Sequence, residues 1–203
     1  MVKNTNYYML MEKQIEEYST LKEKKKLLLH CCCAPCSSHC LEVLHQYFEI
    51  TAYFYNPNIT DYDEYIKRYH ELSRFVKNVY TDKTVATFLE EHDSKSFLDM
   101  AEGMEHLPER GARCYECYKL RLDKSARYAK ENGFDVFTTT LSISPHKNAA
   151  WLNEIGEELS DKYGITYLYS DFKKKNGYKR SIELSEQYGL YRQNFCGCEF
   201  SRR

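Results

Sequence analysis

No run of apolar residues in this 203-residue chain approaches the ~20 that a helix needs to cross a bilayer. Its mean hydropathy of -0.69 belongs to a water-exposed protein. An excess of charge is missing too: 29 Lys and Arg stand against 30 Asp and Glu. A general polyanion binder is thereby excluded, while a local basic patch stays open. Residues 1–26 are polar and contain no apolar core, so they do not read as a secretory signal, and a cytoplasmic location is expected. Glycine is sparse, with 8 residues, and none follows the first apolar strand, where a phosphate-binding loop would need them. Internal repeats, low-complexity tracts and long Pro/Gly linkers are absent as well. The length suits one domain. Residues 1–26 are expected to form a peripheral helix (7–21) and a basic linker, and residues 27–203 a single α/β domain.

Cysteine is what the chain has in quantity. There are nine, and all fall in three groups: Cys31, Cys32, Cys33, Cys36 and Cys40; Cys114 and Cys117; Cys196 and Cys198. In a reducing compartment such spacing points to metal or redox chemistry rather than a disulfide framework. The sequence also holds 19 Tyr against 1 Trp, which fits amphipathic packing at core edges.

Periodicity and caps predict strands at 27–30, 50–55, 135–140 and 165–169, with a weaker one at 78–81. Helices are expected at 37–48, 62–77 (opened by Asp61 with Glu64), 114–132, 146–163 and 176–188. The segment 84–107 reads as mostly helical, with a break near Asp93. This alternation predicts a three-layer α/β sandwich with a mainly parallel sheet and a cysteine-bearing C-terminal tail. Ligands bind such sheets beyond the carboxyl ends of the strands, where the strand order reverses. The first cysteine group and the loop 142–148 would share that crevice if the order reverses between their strands.

Cys32, Cys33 and Cys36 occupy a strand-to-helix turn, where a helix N-terminus favours thiolate. Cys114 and Cys117 lie one helical turn apart on one face. Four thiolates suit a structural zinc or an iron–sulfur cluster. Cys31 and Cys40 read as small buried hydrophobes. The Cys196-Gly197-Cys198 pair is a poor tetrahedral chelate but can close as a small, easily reduced disulfide. A radical-SAM loop fails, because its third ligand would fall on His39. A thioredoxin-like site at Cys33 and Cys36 leaves Cys114 and Cys117 without a role.

Six blocks in order resemble the QueH family of epoxyqueuosine reductases: His30 to Ser37, Tyr55 to Ile59, Arg113 to Leu122, Thr139 to Lys147, Phe172 to Ser181 and Tyr191 to Cys198. The resemblance runs from about residue 27 to the C-terminus. It departs at Thr60-Asp61, where the family often has a proline. It implies a HUP-type α/β fold and reduction of the epoxide of epoxyqueuosine, at the wobble position of tRNA anticodons, to the cyclopentene of queuosine. It also implies a [4Fe-4S] cluster with a further iron beside it. By motif the cluster ligands fall on Cys32, Cys33, Cys114 and Cys117, and the redox-active pair on Cys196 and Cys198. Cys36 is a candidate ligand of the second metal. His30, His146 and Asp171 are candidate proton donors or ligands, or hydrogen-bonded structural residues.

The implied partner is the tRNA anticodon loop carrying epoxyqueuosine, with an electron donor that the residues leave unidentified. Residues 171–203 support the RNA partner. They hold eight basic residues (Lys173, Lys174, Lys175, Lys179, Arg180, Arg192, Arg202 and Arg203) against four acidic ones. Tyr178, Tyr188, Tyr191 and Phe195 interleave with them, a pattern suited to stacking on unpaired bases. Two other classes stay open on the residues alone: a zinc-stabilised tRNA-binding module without catalysis, and a cytosolic dithiol oxidoreductase.

Overall fold

Leucines on both sides of a short strand set the layers of this molecule. In a computed structural model that describes residues 5–201, β1 (Lys25–His30) buries Leu27, Leu28 and Leu29 completely. Side chains alternate across a strand, so Leu27 and Leu29 enter the core on one face and Leu28 that on the other. Strands buried on both faces read as continuous apolar runs, and parallel sheets require them. The other strands are β2 (Phe48–Phe54), β3 (Val85–Leu89), β4 (Val136–Thr139) and β5 (Thr166–Tyr167). All pair in parallel, in the order β3-β2-β1-β4-β5. The order reverses between β1 and β4, which meets the condition for the first cysteine group and the loop 142–148 to share one crevice, and the sheet fits the α/β architecture that the resemblance implies.

Helices cover both faces. Residues of α2 (Ala34–Leu44) and α3 (Tyr62–Val79) join the Leu27/Leu29 core, and α7 (Gly177–Gln187) packs on α2. Residues of α5 (Ala112–Glu131) and α6 (Ala149–Tyr163) join the Leu28 core. Met11 and Ile15 anchor α1 (Tyr7–Ser19) on the first core. The helix α4 (Ser94–Ala101) packs on α5. Expectations that fall on residues 1–4, Arg202 and Arg203 lie outside the described residues.

Three expectations need correction. Residues 84–107 are not mostly helical. Val85–Leu89 forms the edge strand β3, and only Ser94–Ala101 is helix. The β-branched and aromatic content of Thr84, Val85, Thr87 and Phe88 suits a strand, and pairing with β2 decides it. Asp93 is indeed the break, since its carboxylate caps α4 by accepting from the Ser96 amide. Residues 78–81 form no strand: α3 runs on to Val79, and the Tyr80 amide still donates to the Val76 carbonyl. Two helix starts also move. α2 begins at Ala34, with the Cys33 sulfur as its cap, and Phe48 belongs to β2. α6 begins at Ala149, where the Asn148 side chain accepts from the amides of Ala150 and Trp151.

Candidate active site and metal centre

Beyond the carboxyl ends of β1 and β4 lies a cavity of about 800 Å³. The end of β1 turns sharply at Cys31, whose amide donates to the Tyr53 carbonyl at 2.8 Å. Asn56 holds the turn from behind: its Nδ2 donates to the Cys31 carbonyl at 2.9 Å, and its Oδ1 accepts from Arg121 of α5. This gathers the first sulfurs. Cys32, Cys33 and Cys36 place their Sγ atoms within 4.8 Å of one another, with Cys32 and Cys33 at 3.8 Å. The Cys33 sulfur accepts from the Cys36 amide at 3.4 Å, so the helix start itself supports negative charge there. Hydrogen bonds from Cys33 and Cys36, with Arg121 and Lys147 nearby, hold Cys32 well below an ordinary thiol, while Cys33 is raised to about 12 and Cys36 well above its usual value.

The second and third groups meet next to the first. Cys114 and Cys117 on α5 share a narrow cleft with Cys196 and Cys198, and this cleft opens beside the large cavity. Cys114 accepts from the Arg110 amide at 3.2 Å. Burial lifts the Cys117 thiol to about 12. Cys196 borders both spaces, and its sulfur lies 3.6 Å from the Lys147 ammonium. Burial opposes its thiolate, but Lys147 and Arg121 outweigh burial and its pKa lies below the usual value. Burial raises Cys198 to about 11. Both tail cysteines are free thiols in this structure.

Of the expected cluster ligands, Cys32 and Cys33 stand together with Cys36, which the ligand set implied by the resemblance leaves out. Cys114 and Cys117 lie outside that 4.8 Å group. Cys31 and Cys40 are fully buried, and their thiols donate to the carbonyls of Leu29 and Cys36, in keeping with a packing role. His30 does not border the cavity. One ring nitrogen pairs with the Thr139 hydroxyl at 2.8 Å and the other with the Tyr55 carbonyl at 3.0 Å. Asp171 is likewise away from the cavity and pairs with Lys173 at 3.2 Å. His146 sits at the mouth, exposed and in contact with Arg110.

Five cationic side chains border the cavity: Arg68, Arg110, Arg121, Lys147 and Arg192. Arg68 and Arg121 are 2% and 1% exposed, and the buried Nε of Arg121 has no partner. Of these, the sequence pointed to Arg192, through the basic tail, and to Lys147, through the loop 142–148; Arg68, Arg110 and Arg121 had no assigned role at the site. Arg68 in particular sits in no motif, and its spacing from Glu64 reads as an ordinary surface ion pair of a helix. Tyr178 and Phe195 line the cavity as an RNA-stacking role requires, whereas Tyr188 packs on Phe75 and Tyr191 lies under Lys67.

A parallel α/β sheet with thiols from three chain segments at its switch point, under buried cations, defines a cysteine-based metal or redox protein. The match to known proteins narrows this. A family model described as "Epoxyqueuosine reductase QueH" matches residues 27–203. The epoxyqueuosine reductase QueH of Streptococcus pyogenes serotype M1 is 41% identical over 200 residues, covering 98% of this chain and 78% of that protein. Its counterpart in Staphylococcus epidermidis is 42% identical over 201 residues, covering 97% and 84%. That of Thermotoga maritima is 32% identical over 166 residues, covering 82% and 86%. The chain belongs to the QueH family.

Proposed function

We propose that the chain reduces the epoxide of epoxyqueuosine in tRNA to the alkene of queuosine, with an iron–sulfur cluster at the thiol-lined cavity. The observation that carries this is that the three cysteine groups line a cationic cavity at the sheet's switch point and the narrow cleft that adjoins it, with Cys196 bordering both. The donor set fits a cluster. Cys32, Cys33, Cys114 and Cys117 would hold it, and Arg121, buried with an unpaired Nε, supplies the positive charge that a thiolate-ligated group needs. When bound, such a cluster supplies single electrons, and an adjacent iron supplies Lewis acidity toward the epoxide oxygen.

The chain's own residues do the rest. The cavity volume suits a nucleoside-sized group, and Tyr178 and Phe195 offer apolar faces to it. Arg110 and Arg192, exposed at the cavity, suit flanking phosphates. Lys147 holds a proton beside Cys196 and within the cavity wall, where it can serve the oxygen that leaves as water. Cys196 and Cys198 supply a dithiol able to cycle to a disulfide. No helix among the described residues is long and apolar enough to cross a membrane.

A single tetrahedral ion on Cys32, Cys33 and Cys36 is the second reading. The 3.8 Å between the sulfurs of Cys32 and Cys33 favours it, since metal–sulfur bonds of about 2.3 Å in a tetrahedron place sulfurs about that far apart. Iron and acid-labile sulfide analysis with EPR on anaerobically purified protein separates the two. Incubation with tRNA carrying epoxyqueuosine, followed by nucleoside mass spectrometry, tests the reaction. Sulfide-free protein that leaves epoxyqueuosine intact would overturn the proposal.

A further inference from the structure

The tail that carries Cys196 and Cys198 has almost no regular structure of its own, yet α3 grips it along most of its length. Arg74 donates to the Gly189 carbonyl at 3.3 Å, and Glu71 accepts from the Tyr191 amide at 2.8 Å. The Tyr191 hydroxyl donates to Glu64 at 3.3 Å. The row ends at Arg68. Its Nε donates to Glu64 at 2.6 Å, its Nη1 to the Cys196 carbonyl at 3.1 Å and its Nη2 to the Phe195 carbonyl at 3.4 Å. The guanidinium also lies 5.1 Å from the centre of the Phe195 ring. Only the planar, five-donor fork of arginine makes these bonds at once; an ammonium keeps the charge and loses the geometry.

Past this anchor the chain turns. Gly197 has φ +102°, and a Cβ there would lie 2.7 Å from Cγ1 of Ile59. The turn separates the two thiols. Cys196 borders the large cavity and the adjoining cleft, whereas Cys198 borders the cleft alone, packed with Phe97 and Cys117.

We propose that Arg68 is a positioning residue for the redox pair: through the carbonyls of Phe195 and Cys196 it fixes Cys196 as the thiol presented to the substrate cavity, with Cys198 behind it. This rests on the pair's role in epoxyqueuosine reduction, and the chemistry closes on that basis. The two thiols lose two electrons and two protons as the S–S bond forms. The epoxide takes up both electrons, its oxygen leaves as water with both protons, and the alkene remains. An external thiol reductant returns the disulfide to the dithiol. With the Cys196 backbone held, the motion that closes the S–S bond falls on Gly197 and Cys198.

Pre-reduced, iron-loaded protein treated with limiting iodoacetamide under anaerobic conditions tests this directly. Trypsin releases residues 193–202 as one peptide, and its fragmentation resolves alkylation at Cys196 from that at Cys198. Wild-type protein should be modified chiefly at Cys196. In both Arg68→Lys and Arg68→Met that preference should fall about tenfold, and kcat for epoxyqueuosine reduction with it, as an ångström-scale misplacement implies. KM, iron and sulfide should stay near wild type. Tyr191→Phe removes the hydroxyl on Glu64 but leaves the Arg68 fork, and it should keep the wild-type preference; Arg68→Lys carries the test alone if Arg68→Met fails to fold. An unchanged preference in Arg68→Lys would overturn the proposal, because charge alone would then suffice. An equal loss in Tyr191→Phe would overturn it too, since any loosening of the tail would explain the effect. A wild-type protein with this alkylation pattern but no reductase activity would refute the function and leave the positioning role standing.

Discussion

The Lys147 ammonium lies 3.6 Å from the Cys196 sulfur, joining the loop after β4 to the C-terminal tail across the cavity. Burial disfavours charge on each, and each holds the other's charge in place: the Cys196 pKa is lowered and that of Lys147 raised. Lys147→Met removes the cation, so the Cys196 thiolate should form at higher pH than in wild type. The pH profile of Cys196 alkylation, read by mass spectrometry, should move upward, with a several-fold slower rate at neutral pH. A profile that does not move would mean that Arg121 alone sustains the thiolate.

Loss of a ligand separates the two metal assignments. Cys114→Ser and Cys117→Ser each remove one of four thiolates from a cluster, and both should abolish bound iron and acid-labile sulfide. Cys36→Ser should keep its sulfide, because Cys36 is outside the cluster set. If the site is instead one tetrahedral ion on Cys32, Cys33 and Cys36, Cys36→Ser should lose the metal while Cys114→Ser and Cys117→Ser retain it.

His30 ties the end of β1 to both neighbouring strands, through the Tyr55 carbonyl and the Thr139 hydroxyl. Burial and the nearby Arg121 hold it neutral, with a pKa of about 3 against 6.5 for a free side chain. The unfolded chain therefore binds a proton that the fold refuses. The stability this contributes is fully present above about pH 6.5 and is lost progressively as pH falls toward 3, by at most about 1.4 kcal/mol per pH unit. His30→Gln should flatten that slope in urea unfolding between pH 6 and pH 4 by roughly this amount. Equal slopes in both proteins would show that other groups carry the acid sensitivity.

The parallel architecture and the cysteine groups were legible in the sequence, because each rests on a local signal: an apolar run, a cap, a spacing. The reversal between β1 and β4 entered only as a condition, since strand order depends on distant pairing. Asp61 caps α3 as expected, and Asp93, expected only as a break, turns out to cap α4. What stayed hidden depends on distant partners. Val85–Leu89 becomes a strand because β2 offers an edge, and the charged segment after it suggested a helix. Arg68 and Lys147 are ordinary basic residues until the fold places the tail against them. The basic count in residues 171–203 also overstated the free charge, since Lys173, Lys175 and Arg180 pair with Asp171, Glu12 and Glu42.

Close packing of α7 on α2 depends on Gly177. A Cβ there would stand 1.9 Å from the Phe172 carbonyl oxygen and 2.8 Å from the His39 ring. The carbonyl belongs to the backbone and cannot swing aside as a side chain would. Gly177→Ala should therefore destabilise the fold by on the order of 2–3 kcal/mol, read as a lower urea midpoint with an unchanged slope. A midpoint within error of wild type would show that α7 shifts freely, and α7 could not then brace the cavity wall at Tyr178 and Ser181.

On the proposed tRNA substrate, ion pairing should decide which arginines are free to meet a phosphate. Arg180 makes a two-pronged contact with Glu42, at 2.6 Å and 3.1 Å, and a third with Glu183 at 3.3 Å. Moving it to a phosphate would break those contacts. Arg110 and Arg192 are exposed at the cavity and pair with no carboxylate among the described residues: the Arg192 side chain donates to the Ser185 hydroxyl, at 3.2 Å, and that of Arg110 contacts the His146 ring. Each phosphate contact to a single-stranded loop releases about 0.7 counterions, so the Arg110→Ala, Arg192→Ala double variant should shallow the slope of log affinity against log salt by about 1.4. Arg180→Ala should leave that slope near wild type. Fluorescence anisotropy with an anticodon stem-loop, titrated at several salt concentrations, supplies both slopes. If Arg180→Ala shallows the slope while the double variant does not, the RNA backbone crosses α7 rather than the cavity mouth. The base would then have to reach the thiols from the side of α2.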